Sequence, residues 1–371
     1  MRITGGNVYD LDRGFVTRDL YFEGAVIAPS RGDGETYDAD GCYVIPGLTD
    51  VHFHGCKGAD FSDGDPDGLA LMAEYELSRG VTQICPAGMT LLEDQLLKIC
   101  RVAAEHRGAG RPGGSLVGIN LEGPFLSEAK KGAQNGAWLH EPDVEMLKRL
   151  ISASEGLVKL VSVAPELPGA LDFVREASKE VTVAIAHTTA DYDTATAALK
   201  AGAREITHLF TAMPPFTHRA PGVVGAAADF PACRVELICD GVHIHPAVVR
   251  AVFKLFGPDR VVLISDSIRG AGMPDGQYTL GGQDVTVKGP LATLAGGTIA
   301  GSVTDLMSCM RTAVSFGVPL ADAVRAAAVN PAQAIGIFDH VGSLDVGKLA
   351  NAVVLDKDLE LKAVFFNGKP V

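Results

Sequence analysis

The chain has 371 residues, of which 47% are hydrophobic and 21% charged, and its formal net charge is −13. This composition is that of a folded globular protein and excludes a disordered one, and the negative charge argues against nucleic acid or an anionic membrane as a partner. An anionic substrate would have to be held by a local group of basic side chains.

The cysteines and the first residues bear on location. The seven cysteines are scattered and form no C-x-x-C pair, which indicates reduced thiols rather than a disulfide framework. The first residues do not resemble a signal peptide, and no apolar run approaches the length of a membrane span. We therefore expect a cytoplasmic protein with one large domain and an accessory piece, or with two domains.

Both ends of the chain contain short β-prone segments. The first 43 residues break into such segments at Gly, Asp and Asn. Near the other end, 352–356 and 361–366 are predicted strands, and Asn367-Gly368 is a turn pair typical of hairpins. Neither end has enough residues to bury a core of its own. We therefore predict that residues 1–43 and 340–371 pair into one small β-sandwich.

Between the ends, residues 44–339 alternate apolar strands, polar loops and helices. The strand candidates are 43–54, 81–87, 116–121, 157–164, 181–187, 205–209, 235–239 and 261–265. Helices are predicted between most of them, for example over 91–106, 144–154, 170–180 and 246–256. Eight such units predict an α/β fold, a TIM-like (β/α)8 barrel with a parallel sheet. A doubly wound open sheet is the alternative, but the sequence has no Gly-rich phosphate loop after the first strand.

Polar side chains occupy the carboxyl ends of the predicted strands, where barrel enzymes carry their function. His52 and His54 end the first strand two residues apart and therefore share a face. The others are Glu122 after the third strand, His187 at the fifth, His208 on the sixth and Asp266 at the eighth. Each alone has an ordinary structural explanation, such as a hydrogen-bonded core histidine or a helix cap. Together they predict a site for two divalent metal ions, which Glu122 could bridge.

Several motifs resemble a known family. Residues 46–55, PGLTDVHFHG, resemble the first-strand motif of the amidohydrolase superfamily. Segments 122–125 (EGPF) and 240–243 (DGVH) are similar to the signature of N-acetylglucosamine-6-phosphate deacetylases, as are 130–132, 208–213, 218–222, 265–266 and 300–302. The resemblance covers nearly the whole chain, and the EGPF and DGVH segments are not generic to the superfamily.

The resemblance implies hydrolysis of the acetamide of an N-acetyl amino sugar 6-phosphate, above all N-acetylglucosamine 6-phosphate, to acetate and the free amine. It places one metal ion on Glu122, His187 and His208, and a second beside the His-x-His pair. Asp266 suits the transfer of a proton from water to the leaving amine. Among divalent ions zinc is expected first, with iron, manganese or cobalt as alternatives.

The resemblance also implies a homodimer whose sites are shared across the interface. Arg219 and His243 would reach into the neighbouring site and hold the substrate phosphate, because the planar guanidinium matches phosphate oxygens. Backbone N–H groups of Thr211 and Ala212 would complete the contact.

Two positions depart from the family pattern. Gln134 stands where the family usually has a histidine that contacts the substrate near the scissile amide, and Thr211 replaces the usual asparagine beside the phosphate. Glutamine can donate a hydrogen bond but cannot carry charge. The galactosamine epimer, or another N-acyl compound, therefore stays open as the substrate.

Other classes fit the sequence less well. A dihydroorotase-like enzyme would carry a lysine at the end of strand four, where this chain has residues 163–166, VAPE, and a deaminase-like relative would need an acid beside His187. A non-catalytic scaffold should have lost ligands, yet all six positions are filled. Lys130 and Lys131 could add to the phosphate contact or be solvated surface.

Overall fold

The computed structural model describes residues 1–30 and 34–371. Residues 31–33, which belong to the predicted amino-terminal part of the sandwich, lie outside the described residues. The first strands are β1 (Arg2–Thr4), β2 (Asn7–Asp10), β3 (Gly14–Thr17), β4 (Leu20–Glu23), β5 (Val26–Ala28), β6 (Thr36–Asp38) and β7 (Tyr43–Pro46). One four-stranded sheet contains four of them in the order β5-β4-β1-β6.

The central part of the chain forms the barrel. Its strands are β8 (Leu48–Asp50), β11 (Val81–Ile84), β12 (Ala87–Gly88), β13 (Ser115–Leu116), β14 (Ile119–Phe125), β15 (Val158–Val163), β16 (Thr182–Ile185), β17 (Glu205–Ile206), β18 (Arg234–Ile238) and β19 (Val261–Ile264), with the small hairpin β9 (Gly55–Cys56) and β10 (Ala59–Asp60) after the first. All pairings between the barrel strands are parallel. β11 and β12 follow each other directly and count as one unit of the barrel wall, as do β13 and β14. The barrel therefore has eight such units, here called staves, as the sequence predicted.

Backbone hydrogen bonds close the barrel between its last and first staves. The Asp266 N–H donates to the His52 carbonyl oxygen at 2.9 Å, and the His54 N–H donates to the Ser267 carbonyl oxygen at 2.7 Å. The strands of a closed barrel end together at one rim, so residues that follow different strands become neighbours. The segments just after β8 and β19 are therefore held side by side.

Helices cover the outside of the barrel. They are α1 (Pro66–Ser78), α2 (Glu93–Ala109), α3 (Val144–Ala153), α4 (Ala170–Ala177), α5 (Tyr192–Ala201), α6 (Gly222–Ala228), α7 (Pro246–Phe256), α8 (Leu306–Ser315), α9 (Leu320–Val324) and α10 (Asn330–Ala334), with a π-helical turn at Arg325–Val329 and 3-10 turns at Phe61–Asp63, Glu128–Lys130 and Gly136–Trp138. Aspartates cap several helices: Asp143, for instance, accepts from the Met146 N–H at the start of α3. Within the described residues, no helix has both the length and the apolar character needed to cross a membrane.

A three-stranded antiparallel flap comes after the eighth stave, and the sequence analysis did not anticipate it. It consists of β20 (Gly276–Leu280), β21 (Gln283–Lys288) and β22 (Leu291–Leu294). The β20–β21 turn uses Gly281 and Gly282 at φ of 56° and 78°, which is the backbone of a tight hairpin turn. This Gly-Gly pair between β-prone runs was the available signal.

The two chain ends meet in one sheet. The last strands are β23 (Ala352–Leu355), β24 (Leu361–Phe366) and β25 (Lys369–Pro370), and they join a six-stranded sheet in the order β25-β24-β23-β7-β2-β3. An apolar cluster beside it combines residues from both ends, including Ile3, Val44 and Phe365.

The predicted first strand, 43–54, is in fact two strands with different partners. β7 pairs with β23 of the terminal sheet, whereas β8 pairs with β11 of the barrel. The change of partner falls at Gly47, whose N–H donates to Asn351 while the next N–H, of Leu48, donates to Gly80. A continuous apolar run cannot reveal such a change, because both halves are equally buried.

Gly47 is a position where packing leaves no room for a side chain. A Cβ there would lie 2.0 Å from Thr82 Oγ1. We expect Gly47→Ala to lower the free energy of unfolding by about 1–3 kcal/mol, because the well-packed joint must shift, as measured by urea denaturation. The control is Gly108→Ala in α2, where a Cβ meets nothing within 4 Å and helix propensity favours alanine. A Gly47→Ala protein as stable as the parent would contradict this packing argument.

Candidate metal centre and substrate cavity

The six predicted ligand residues come together at the carboxyl-end rim of the barrel. They form two groups of buried side chains: His52, His54 and Asp266, and Glu122, His187 and His208. Within each group the candidate ligand atoms lie within 4.8 Å of one another. Four of the six follow their strands by two residues, and Glu122 lies within β14. Strand-end spacing in the sequence therefore located the site.

Glu122 lies between the two groups, and its two oxygens have different nearest neighbours. Its Oε1 is 3.0 Å from His187 Nε2 and 2.9 Å from His208 Nε2. Its Oε2 is 3.2 Å from His54 Nε2. One carboxylate thus reaches both groups, which is the arrangement of a bridging ligand.

The donor atoms fit divalent cations. His187 Nε2 and His208 Nε2 are 3.2 Å apart, and His52 Nε2 is buried without a hydrogen-bond partner, 3.6 Å from Glu122 Oε1 and 3.7 Å from Asp266 Oδ1. Two ligands of one zinc ion in tetrahedral geometry lie roughly 3.3–3.6 Å apart, given metal–ligand bonds of about 2.0–2.2 Å. The spacing and the orphaned nitrogen are those of groups that share ions.

The electrostatics of the centre favour ionised carboxylates next to positive charge. Burial would raise the pKa of Glu122, but the charge of His52 and hydrogen bonds from His187 and His208 hold that pKa well below its usual range. Burial would lower the pKa of His54, but its hydrogen bonds to Asp266 and Glu122 raise that pKa to about 10. A centre that holds protons so strongly offers the same donors to a divalent cation, which competes with those protons.

Partners behind the histidines fix their orientation. His54 Nδ1 is 3.1 Å from the Ala87 carbonyl oxygen, and His187 Nδ1 is 2.8 Å from the Lys130 carbonyl oxygen. Because a carbonyl oxygen only accepts, both Nδ1 atoms carry a proton, and both Nε2 atoms face the centre, where an ion would have to displace the proton that each shares with a carboxylate.

Glu236 supports the centre from the seventh stave, and the sequence analysis missed it. Its Oε2 is 2.9 Å from His52 Nδ1 and accepts from the His208 N–H at 3.3 Å. The side chain is fully buried on β18. A single acidic residue in the otherwise apolar predicted strand 235–239 was the signal, since a buried carboxylate requires a partner.

The backbone at three ligand positions is strained. His187, His208 and Asp266 have φ of 43°, 26° and 49°, in the left-handed region that residues other than glycine rarely adopt. Such conformations cost about 1–3 kcal/mol each and persist where the surroundings impose them. The closing bond from the Asp266 N–H to the His52 carbonyl is one such constraint.

Five of the six side chains, all but His52, line a cavity of about 390 Å³. Of the predicted substrate residues, Gln134, Thr211, Ala212 and His243 line it, as do Lys130 and the segment after the flap at Ile299. Lys131 instead faces Glu128 at 3.9 Å on the surface.

Two of the expected phosphate groups have contacts within their own chain. His243 lines the cavity of its own chain, with Nδ1 2.8 Å from Asp240 Oδ2, and its predicted reach into a neighbour's site stays a prediction. The Thr211 N–H already donates to the His208 carbonyl oxygen at 2.9 Å. The remaining candidate donors on this segment are the Thr211 hydroxyl and the Ala212 N–H.

Arg219 lies outside the cavity of its own chain. It is exposed and lines a separate depression with Asp191, Tyr192 and Pro214. Its predicted contact with the phosphate therefore requires a second chain and stays a prediction.

Gln134 lies on the cavity wall, but both ends of its amide are engaged. Oε1 accepts from the Thr90 N–H at 2.7 Å, and Nε2 donates to Glu122 Oε2 at 2.7 Å. Of the two N–H groups on the amide nitrogen, at most one is left for a substrate. Its contacts within the chain are therefore with Thr90 and Glu122, and its contact with a substrate stays a prediction.

His187→Asn should remove a bound ion. The asparagine side chain cannot extend a nitrogen to the position of His187 Nε2, so the group around Glu122 Oε1 loses a ligand. Elemental analysis of the purified protein should show less metal per chain than in the parent. His245→Asn is the matched control, because His245 caps α7 outside the centre and asparagine is also a good cap. Full metal content in His187→Asn would refute the assignment.

The chain is similar to known proteins of one family. The amidohydrolase family model matches residues 43–371. The N-acetylglucosamine-6-phosphate deacetylase of Vibrio furnissii is 37% identical over 330 residues, which cover 88% of this chain and 82% of that protein. The N-acetylgalactosamine-6-phosphate deacetylase of Escherichia coli O157:H7 is 34% identical over 334 residues, which cover 90% of this chain and 88% of that protein.

Solved structures show the same fold. The crystal structure of N-acetyl-D-glucosamine-6-phosphate deacetylase from Mycobacterium smegmatis has a TM-score of 0.92 and 35% identity, and the match covers 100% of both chains. A mutant of that enzyme in complex with N-acetyl-D-glucosamine-6-phosphate has a TM-score of 0.93 and 35% identity, and the match covers 100% of this chain and 98% of that one. The predicted barrel class is thereby confirmed. This chain belongs to the amidohydrolase family and, within it, to the N-acetylglucosamine-6-phosphate deacetylases.

Proposed function

We propose that this enzyme removes the acetyl group of N-acetylglucosamine 6-phosphate and yields glucosamine 6-phosphate and acetate. Membership of the family makes it a hydrolase that acts on an amide. The observation that carries the substrate proposal is the complete set of six candidate ligand side chains, Glu122 and five around it, next to a cavity whose lining includes Lys130 and His243. The E. coli relative named for the galactosamine epimer keeps that epimer as the second candidate.

The two groups of side chains would hold two divalent ions, and zinc is our first candidate because mixed imidazole and carboxylate donors suit it. When bound, such an ion polarises an amide carbonyl and lowers the pKa of water. Asp266 borders the cavity with its Oδ1 3.2 Å from His54 Nε2. Burial opposes its ionised form, yet the hydrogen bond with His54 keeps the pKa of Asp266 below its usual value. An ionised carboxylate there can accept the proton of water and pass it to the leaving amine.

Basic and N–H groups on the cavity wall would hold the 6-phosphate. His243 lines the cavity. Burial would lower its pKa, but the hydrogen bond and the charge of Asp240 raise the pKa above its usual value. Ala212 with its N–H, Thr211 with its hydroxyl and Lys130 line the same cavity. Together they supply the local positive charge that an anionic substrate needs on a chain of net charge −13.

We also infer a homodimer in which Arg219 enters the partner's cavity. The support is an apolar groove beside the Arg219 loop, lined by residues that include Phe210, Met213, Phe216 and Leu255. Phe216 is 51% exposed and Leu255 is 46% exposed. Exposed apolar patches bordered by an arginine are typical of protein interfaces.

Two further assignments rest on less direct support. We propose that the chain ends form an accessory β-sandwich with 340–371 as its second part. Its first part extends to residue 46 rather than 43, because β7 belongs to the terminal sheet, and the barrel begins after Gly47. We also propose a cytoplasmic location, supported by free cysteines at all seven positions.

An acetate-release assay over three substrates tests the proposed function. The substrates are N-acetylglucosamine 6-phosphate, its galactosamine epimer and N-acetylglucosamine without phosphate. We expect the first to give the highest kcat/KM, and loss of the phosphate to cost on the order of 10²-fold, because charge-assisted hydrogen bonds are lost. No acetate from any of the three substrates would reject the proposal, and a higher kcat/KM on the epimer would favour the second candidate.

Asp266→Asn should lower kcat by roughly 10²–10⁴-fold, whereas Asp284→Asn, on the exposed face of β21, should leave kcat unchanged.

Subunit mixing tests the shared site. Asp266→Asn and Arg219→Ala chains should each be inactive or nearly so. After verified subunit exchange, hybrid dimers hold one site with an intact Asp266 and a partner's intact Arg219, so part of the activity should return. Activity that stays at the level of the separate variants would mean that each site is built from one chain.

A further inference from the structure

The Gln134 side chain links the backbone at Thr90 to the carboxylate of Glu122. The residue is 2% exposed, with Oε1 2.7 Å from the Thr90 nitrogen and Nε2 2.7 Å from Glu122 Oε2. The Thr90 N–H can only donate, so it must face the amide oxygen, and the amide nitrogen must then face the carboxylate. The orientation of the Gln134 amide is therefore determined by the fold.

This link acts on one oxygen of Glu122 only. The oxygen that accepts from Gln134 is Oε2, which lies 3.2 Å from His54 Nε2. The other oxygen, Oε1, is nearest to His187 and His208, at 3.0 and 2.9 Å, and is farther from His52 Nε2, at 3.6 Å. A carboxylate oxygen has two acceptor positions, so Oε2 can keep the Gln134 bond and still present a lone pair to the His52, His54 and Asp266 group.

We propose that Gln134 is a positioning residue that turns Glu122 Oε2 toward the His52, His54 and Asp266 group and so determines how tightly that group binds its ion. The proposal rests on the proposed function, in which both groups bind divalent ions. Hydrogen bonds to metal ligands typically contribute 10–100-fold to metal affinity. The effect should fall on the ion that Oε2 faces, more than on the one that Oε1 faces.

The loop that carries Gln134 is also held by hydrogen bonds that do not involve the Gln134 side chain. The contribution of that side chain to metal affinity can therefore be separated from the contribution of the loop conformation. The Gln134 N–H donates to the Lys131 carbonyl oxygen at 2.9 Å, and Gln283 of the flap donates to the Ala133 carbonyl oxygen. Gln283 thus holds the same loop without touching a ligand. A matched pair of substitutions, Gln134→Met and Gln283→Met, removes one amide each at similar side-chain length.

Cobalt titration of the metal-free whole protein, followed by the absorbance of bound Co²⁺, measures the two affinities separately. His54→Ala identifies which binding phase belongs to the His52, His54 and Asp266 group. In Gln134→Met we expect that phase to weaken on the order of 10–100-fold, with the other phase changed much less. In Gln283→Met both phases should keep the parent affinities.

Two outcomes overturn the proposal: parent affinities in a folded Gln134→Met protein, or an equal loss in Gln283→Met, which would make the effect one of the loop. If Gln134→Met does not fold, Gln134→Asn replaces it, since the shorter amide cannot span Thr90 and Glu122, and the same selective loss is expected. The outcome that rejects the positioning role of Gln134 can be distinguished from the outcome that rejects the proposed function. A parent protein that releases acetate and a Gln134→Met protein with unchanged affinities would reject the positioning role alone.

Discussion

The structure depends on one buried carboxylate, Glu122, which faces two groups of imidazole and carboxylate donors at once. A buried charge is costly unless it is paired and hydrogen-bonded. Each Glu122 oxygen meets such partners: Oε1 faces His187 and His208, and Oε2 faces His54 and Gln134. The centre is therefore stable only when positive charge, from protons or from ions, balances its carboxylates.

The rest of the fold keeps this carboxylate in place. Closure of the barrel fixes His52 beside Asp266, and left-handed backbone at three ligand positions turns their side chains inward. Behind them, Glu236 and two backbone carbonyls set which histidine nitrogen faces the centre. Strain of this kind at a functional site is stabilised by the surrounding structure. The flap and the terminal sheet lie outside this arrangement, and the flap contributes Leu280 to the cavity wall.

Periodicity and spacing in the sequence predicted most of the barrel and its rim. Apolar runs located all eight staves, and α7 has the predicted bounds. The six candidate ligand residues were found because parallel strands of a barrel end at the same rim. The change of partner at Gly47 was missed, since burial on both sides of it is the same. The hydrogen bonds of Gln134 to Thr90 and Glu122 were not predicted, because these partners come from segments that only the folded chain brings together. The homodimer and the part of Arg219 in it stay predictions.

The position of Glu122 predicts that its two oxygens would contact two different ions, and anomalous diffraction from crystals grown with zinc would show whether they do. We expect two peaks in the cavity. One should lie about 2.0–2.2 Å from Glu122 Oε1, His187 and His208, and the other at a similar distance from Glu122 Oε2 and the His52, His54 and Asp266 group. A single peak, or two peaks of which one has no contact with Glu122, would contradict a bridging carboxylate.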